Sequence, residues 1–168
     1  MRRDCARESG GPALDAGLES APPMKPVPPV QGLHHIGIAV TSLAEALPRW
    51  TDGFGLRLES TDVVPTEQVK VAVLMAGDTR IELLEPTSPD SPIAKFLDKR
   101  GPGIHHLAFQ VGDCQVQIDA LAARGAQLLD SKPRKGAHDC KVAFLHPKQL
   151  GSVLAELVED PHAGEGHE

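Results

Sequence analysis

Six residues of this chain are of a type and spacing that could do chemistry: the pairs His34-His35 and His105-His106, and the glutamates Glu82 and Glu156. Neutral imidazoles together with carboxylates suit a borderline divalent ion such as Co²⁺, Zn²⁺, Ni²⁺ or Mn²⁺. Each glutamate sits between aliphatic neighbours, Ile81-Glu82-Leu83 and Ala155-Glu156-Leu157. A mid-strand carboxylate among such neighbours is costly to bury unless it is paired or bound to metal. Taken singly, these would read as ordinary histidines and solvated edge-strand glutamates. A lone His-His pair is weak evidence of ligation.

What raises the ligand reading is that the whole set occurs twice in register. Leu33-His34-His35-Ile36-Gly37-Ile38-Ala39-Val40 matches Ile104-His105-His106-Leu107-Ala108-Phe109-Gln110-Val111 at an offset of 71 residues (106 − 35). Val71-Ala72-Val73-Leu74 matches Val142-Ala143-Phe144-Leu145 at the same offset. Ile81-Glu82-Leu83-Leu84-Glu85 matches Ala155-Glu156-Leu157-Val158-Glu159 at 74 (156 − 82). The extra residues fall where Gly77-Asp78-Thr79 faces the longer Pro147-Lys148-Gln149-Leu150-Gly151, both turn chemistry. A duplicated supersecondary unit with an insertion confined to a turn is the expected reading.

The elements that must position these residues follow from pattern. Side chains alternate along a strand. His35 therefore shares a face with Gly37 and Ala39, and His106 with Ala108 and Gln110, small or polar neighbours that can line a cavity. His34 and His105 fall with the aliphatic residues and are expected to be structural or at a strand edge. Ser42 with Glu45 forms a capping box opening a helix with the stripe Leu43, Leu47 and Trp50, which Pro48 should bend or shorten. A second-module helix starts at Asp113, presents Cys114, Ile118, Leu121 and Ala122 on one face, and stops near Gly125. Between them Ser91 caps a linker helix with Pro92 at its first position, Ile93, Phe96 and Leu97 inward, and Gly101 at its end. Two βαβββ modules joined by a short helix make an α+β protein. The expected boundaries are a disordered leader 1–31, module 1 at 32–89, the linker helix at 90–101, module 2 at 102–160 and a tail 161–168. Met24 is a possible true start just before the folded part.

Composition excludes several classes. The 168 residues carry a net charge of −6, 3% aromatics and no tyrosine. Neither a nucleic acid nor an anionic membrane fits that charge, and stacking platforms are scarce. No apolar run reaches the roughly 20 residues of a membrane span, and Arg2-Arg3 is not followed by a signal-peptide core. Three scattered cysteines give no disulfide framework and point to a reducing cytoplasm.

At these residues the chain resembles the vicinal-oxygen-chelate superfamily and, within it, the methylmalonyl-CoA epimerases. The resemblance covers residues 32 to 160 and rests on the two His-His strands, Ile81-Glu82-Leu83-Leu84-Glu85-Pro86, Asp90-Ser91-Pro92-Ile93-Ala94-Lys95-Phe96-Leu97, Phe144-Leu145-His146-Pro147-Lys148 and Leu154-Ala155-Glu156-Leu157. It implies one curved mixed sheet enclosing a metal-binding cleft. It also implies His35, Glu82, His106 and Glu156 as ligands, cobalt as a favoured metal, a CoA thioester as substrate in propionyl-CoA metabolism, and a homodimer. The family's acid/base glutamate maps to Glu67 in Thr66-Glu67-Gln68-Val69, where the family's glycine is missing. The second proton-transfer group is then either a metal-ligating glutamate, Glu156, or His138, which matches Glu67 in the repeat but reads as a surface histidine. The rival expectations are a glyoxalase I-like lyase acting on a glutathione hemithioacetal and a non-catalytic binding protein of the same fold.

Overall fold

A computed structural model describes residues 26–162. The greater part of the expected leader, the start at Met24 and most of the tail lie outside the described residues. The first module contributes β1 (Gly32–Ala39), α1 (Leu43–Thr51), β2 (Arg57–Val64), β3 (Val69–Ala76) and β4 (Thr79–Pro86). The linker is α2 (Pro92–Arg100). The second module contributes β5 (Gly103–Gln110), α3 (Cys114–Ala122), β6 (Arg134–Lys135), β7 (Lys141–Leu145) and β8 (Ala155–Glu159). All eight strands form one mixed sheet in the order β2-β3-β4-β1-β5-β8-β7-β6. The order is symmetric about the antiparallel β1/β5 seam, and each module adds one parallel pair, β1/β4 and β5/β8. Beside this seam lie the strands bearing Glu82 and Glu156, so the topology itself gathers the duplicated residues at the centre of the sheet.

The caps read from sequence are present. Ser42 Oγ accepts from the Glu45 N–H at 3.4 Å, Ser91 Oγ from the Ile93 N–H at 3.2 Å and an Asp113 carboxylate oxygen from the Val116 N–H at 2.8 Å. Pro48 sits inside α1, and Gly101 closes α2 at φ 72°. The last glutamate of each repeat block adds a second device. Glu85 accepts from the Leu43 N–H at 2.6 Å and Glu159 from the Cys114 N–H at 2.9 Å, tying each closing strand to the start of its module's helix. A carboxylate at a helix N-terminus is favoured by the exposed N–H groups and the helix dipole. Both carboxyl groups are held below their usual range, chiefly by these backbone bonds.

The convex face of the sheet packs on the helices. Val40, Leu43, Ala72, Leu74 and Leu83 form one core, with Leu47 and Trp50 against it. Val111, Cys114, Ile118, Ala143, Leu145, Ala155 and Leu157 form its counterpart under α3. Two details differ from the helical-face reading. Ala122 is exposed, and Gln117 is buried instead, its amide donating to the Pro28 carbonyl at 3.0 Å. Buried polar groups need such a partner. The α2 residues Ile93, Phe96 and Leu97 close one end of the concave face over Val69, Val71, Val73 and Leu84. Among the described residues no helix is long and apolar enough to cross a membrane.

The alternation expected for the two histidine strands holds for His35 and His106 and fails for their neighbours. Leu33 pairs with Phe109 and His35 with Ala108, so His34 is an extra residue; Gly37 pairs with His106 and Ile38 with Ile104, so His105 is its counterpart. These are β-bulges, which let two successive side chains approach one face. As a result all four histidines line the concave cavity, where strict alternation put two of them with the helix-packing residues.

Candidate metal centre and active-site cavity

The concave face encloses a cavity of about 910 Å³, at the upper end of the usual range for small-molecule sites. Its wall is mixed: Val71, Val73, Leu84, Val142 and Val158 are apolar, and the polar groups gather at the β1/β5 seam. There His35 Nε2 and His106 Nε2 lie 2.9 Å apart, and Glu156 Oε2 lies 3.2 Å from each. These three side chains are 7%, 6% and 7% exposed. Glu82 Oε2 stands 3.7 Å from His35 Nε2 at the margin of this triangle.

The donor geometry fits a metal ion. Nitrogen and oxygen ligands held about 2.0–2.2 Å from one ion sit roughly 3 Å from one another, as these three do. The charge fits as well. Two carboxylates beside two imidazoles create a field that favours a cation. Burial opposes ionisation of Glu156, but the hydrogen bonds and charges of His106 and His35 outweigh it and hold the carboxyl at about 2. Burial likewise disfavours a proton on His35, yet Glu82 and Glu156 raise its affinity above the ordinary imidazole value. The field that attracts a proton there attracts a metal cation in its place.

Gly37 makes the approach of the two modules possible. A Cβ built on Gly37 would lie 2.2 Å from His106 Cε1 and 2.6 Å from its Nδ1. The small residue noted on the His35 face is thus a steric requirement for the partner module's ligand, which the sequence alone did not specify.

The remaining site residues stand around this centre. His34 Nδ1 lies 2.8 Å from His35 Nδ1, and His34 Nε2 lies 3.2 Å from Asp160 Oδ2. His105 Nδ1 lies 2.9 Å from His106 Nδ1, with the Phe96 ring edge-on at 5.0 Å. Burial, then His106, pushes the His105 imidazole down to about 4. Glu67 ends a 3₁₀ turn, Pro65–Glu67, followed by Gln68 in the left-handed region at φ 53°. That is the conformation a glycine would adopt freely. Glu67 lines the cavity and accepts from Arg134 Nη1 at 2.8 Å, a bond from module 1 to β6. Arg134 also holds Asp130 at 3.0 Å and lies over the Phe144 ring. His138 lies on the cavity lining as an exposed side chain at φ 52°. Sequence reasoning missed Asp160 and Arg134. Neither lies in a repeat-equivalent pair of like residues, which was the signal used for the others.

Residues 34–144 match the Glyoxalase/Bleomycin resistance protein/Dioxygenase superfamily. The ethylmalonyl-CoA/methylmalonyl-CoA epimerase of Cereibacter sphaeroides is 39% identical over 127 residues, covering 74% of this chain and 95% of that protein. The uncharacterized protein YqjC of Bacillus subtilis is 41% identical over 127 residues, covering 76% and 91%. The crystal structure of methylmalonyl-CoA epimerase from Mycobacterium tuberculosis superposes with a TM-score of 0.74 at 37% identity, covering 82% of this chain and 93% of that one. With the eight-stranded sheet and its two-module cavity, these similarities show that the chain belongs to the Glyoxalase/Bleomycin resistance protein/Dioxygenase superfamily and, within it, to the methylmalonyl-CoA epimerase family.

Proposed function

We propose that this protein interconverts (2R)- and (2S)-methylmalonyl-CoA by moving the proton on C2, with a divalent metal ion held by His35, Glu82, His106 and Glu156. The observation that carries this reading is the convergence of His35 from one module with His106 and Glu156 from the other, within 3.2 Å of one another inside a large cavity. The relatives named as epimerases support the substrate assignment.

The chemistry asked of the site is the loss and return of a proton beside a thioester. An ion bound at these donors supplies Lewis-acid chemistry, lowering the cost of the negative charge that develops on the substrate. Glu67 takes the C2 proton on its carboxylate, and the electron pair of the C–H bond passes into the thioester carbonyl. Arg134 holds that carboxylate at the cavity wall through its 2.8 Å bond. Inversion needs proton transfer on the opposite face, which we assign to Glu156. Val71 and Val73 of β3 and Val142 of β7 give that part of the cavity an apolar wall. The reading takes with it a CoA thioester as substrate, cobalt as the metal, a homodimer as the assembly and the cytoplasm as the compartment.

The test is turnover of each methylmalonyl-CoA epimer by the cobalt-loaded protein, beside the glutathione hemithioacetal of methylglyoxal. Equilibration of the two epimers with no lyase product is the expected result. Turnover of the hemithioacetal alone would replace this reading with the glyoxalase one, and binding without turnover of either would replace it with the non-catalytic one.

A further inference from the structure

The ligand His35 is backed by a chain of polar contacts that its counterpart His106 lacks. His35 Nδ1 lies 2.8 Å from His34 Nδ1, and His34 Nε2 lies 3.2 Å from Asp160 Oδ2. The direction of these bonds follows from the ligand role. If His35 offers the lone pair of Nε2 to a metal, its proton is on Nδ1 and donates to His34 Nδ1. The His34 proton is then on Nε2 and donates to the Asp160 carboxylate. Every donor meets an acceptor in this one arrangement. Asp160 is itself oriented by the His162 N–H at 2.8 Å. At His105 the same Nδ1 contact to the ligand exists, 2.9 Å, but its ring meets Phe96, and the repeat position of Asp160 is Pro86 (160 − 74).

We propose that Asp160 and His34 form a positioning relay that fixes the tautomer of His35 and strengthens it as a metal ligand, so that the two repeat-equivalent histidines hold the ion unequally. This rests on the metal reading given above. Partners of this kind orient a ligating imidazole and raise its basicity, and their loss costs about 10–100-fold in metal affinity. The β-bulge at His34 is what makes the relay possible, because it turns His34 to the ligand's side of the strand.

The competing use of the same atoms is a second cation site, since donor atoms of His34, Cys140 and Asp160 lie within 4.8 Å of one another. Co²⁺ titration of the full chain against a chelating indicator separates the possibilities. It would compare wild type, Asp160→Asn, Asp160→Ala, Cys140→Ser and Glu156→Gln, with thermal melting as the check on folding. Nitrogen-15 NMR of the zinc-loaded protein would read the histidine tautomers. The expected result is one equivalent in wild type and in Cys140→Ser, and a 10–100-fold weaker site in both Asp160 variants at unchanged melting temperature. His34 should carry its proton on Nε2. Full affinity in the Asp160 variants while Glu156→Gln loses the metal would overturn the relay and leave the metal centre standing. A second equivalent that disappears in Cys140→Ser would overturn it in favour of ligation by His34 and Asp160. Failure of wild type to bind would overturn the metal reading and the relay together.

Discussion

Replacing Gly37 with alanine puts the metal centre under a steric load whose size can be worked from the structure. The added Cβ would stand 2.2 Å from His106 Cε1, whereas ordinary contact begins near 3.4 Å. The imidazole or its strand must therefore give by about 1.2 Å (3.4 − 2.2). Metal–ligand distances tolerate only about ±0.2 Å, so His106 leaves coordinating distance. Losing a ligand outright should exceed the roughly 10–100-fold effect of losing a group that orients one. Gly37→Ala should thus weaken Co²⁺ binding by more than about 100-fold, near 2.7 kcal/mol or beyond. Overpacking should also lower stability by about 1–3 kcal/mol. The assay is chelator competition alongside urea denaturation. Gly103→Ala, on the strand that carries His106 and with nothing within 4 Å of its Cβ, is the control and should bind as wild type. If Gly37→Ala binds Co²⁺ within threefold of wild type, the close approach of the two modules is not what sets the centre.

Other outcomes follow from the same geometry. Glu67→Gln keeps metal affinity and loses most turnover, because its carboxylate partners Arg134 and not the ligand cluster; metal titration beside epimer equilibration would show it, and retained turnover would refute Glu67 as the base. Metal affinity falls as pH drops, beginning above the ordinary imidazole value of 6.5, because protons compete for His35, whose affinity for them is raised; a competition titration flat down to pH 5 would contradict this. For the metal-free protein, the ionised Glu156 contributes stability present above the unfolded carboxyl value of 4.5 and lost as pH falls toward about 2. Denaturation midpoints of Glu156→Gln should therefore show less decline across that window than wild type.

The parts of the fold legible in the sequence are those set by local chemistry or by duplication. Ser42, Ser91 and Asp113 announced their helices because capping is local. The register of the repeat singled out His35, Glu82, His106 and Glu156, because equivalent positions in a two-fold sheet meet at its axis. The facing of His34 and His105 was misread because a bulge depends on how β1 pairs with β5, and 71 residues separate His35 from His106. The Glu67–Arg134 bond joins elements 67 residues apart that are not repeat mates, β6 being only two residues long. Glu85 and Glu159 were visible as matching letters, but their capping role needs the helix start to lie against the end of the closing strand.

Metal-assisted proton transfer at C2 by this pair of modules can be read as deuterium uptake at C2 of methylmalonyl-CoA in D₂O, using metal-stripped protein, the same protein with Co²⁺ restored, and Glu156→Gln. Exchange should be negligible without metal, rapid and accompanied by interconversion of the epimers once Co²⁺ is returned, and absent in Glu156→Gln. Exchange at full rate in the stripped protein, or none in a folded protein carrying one Co²⁺, would contradict it.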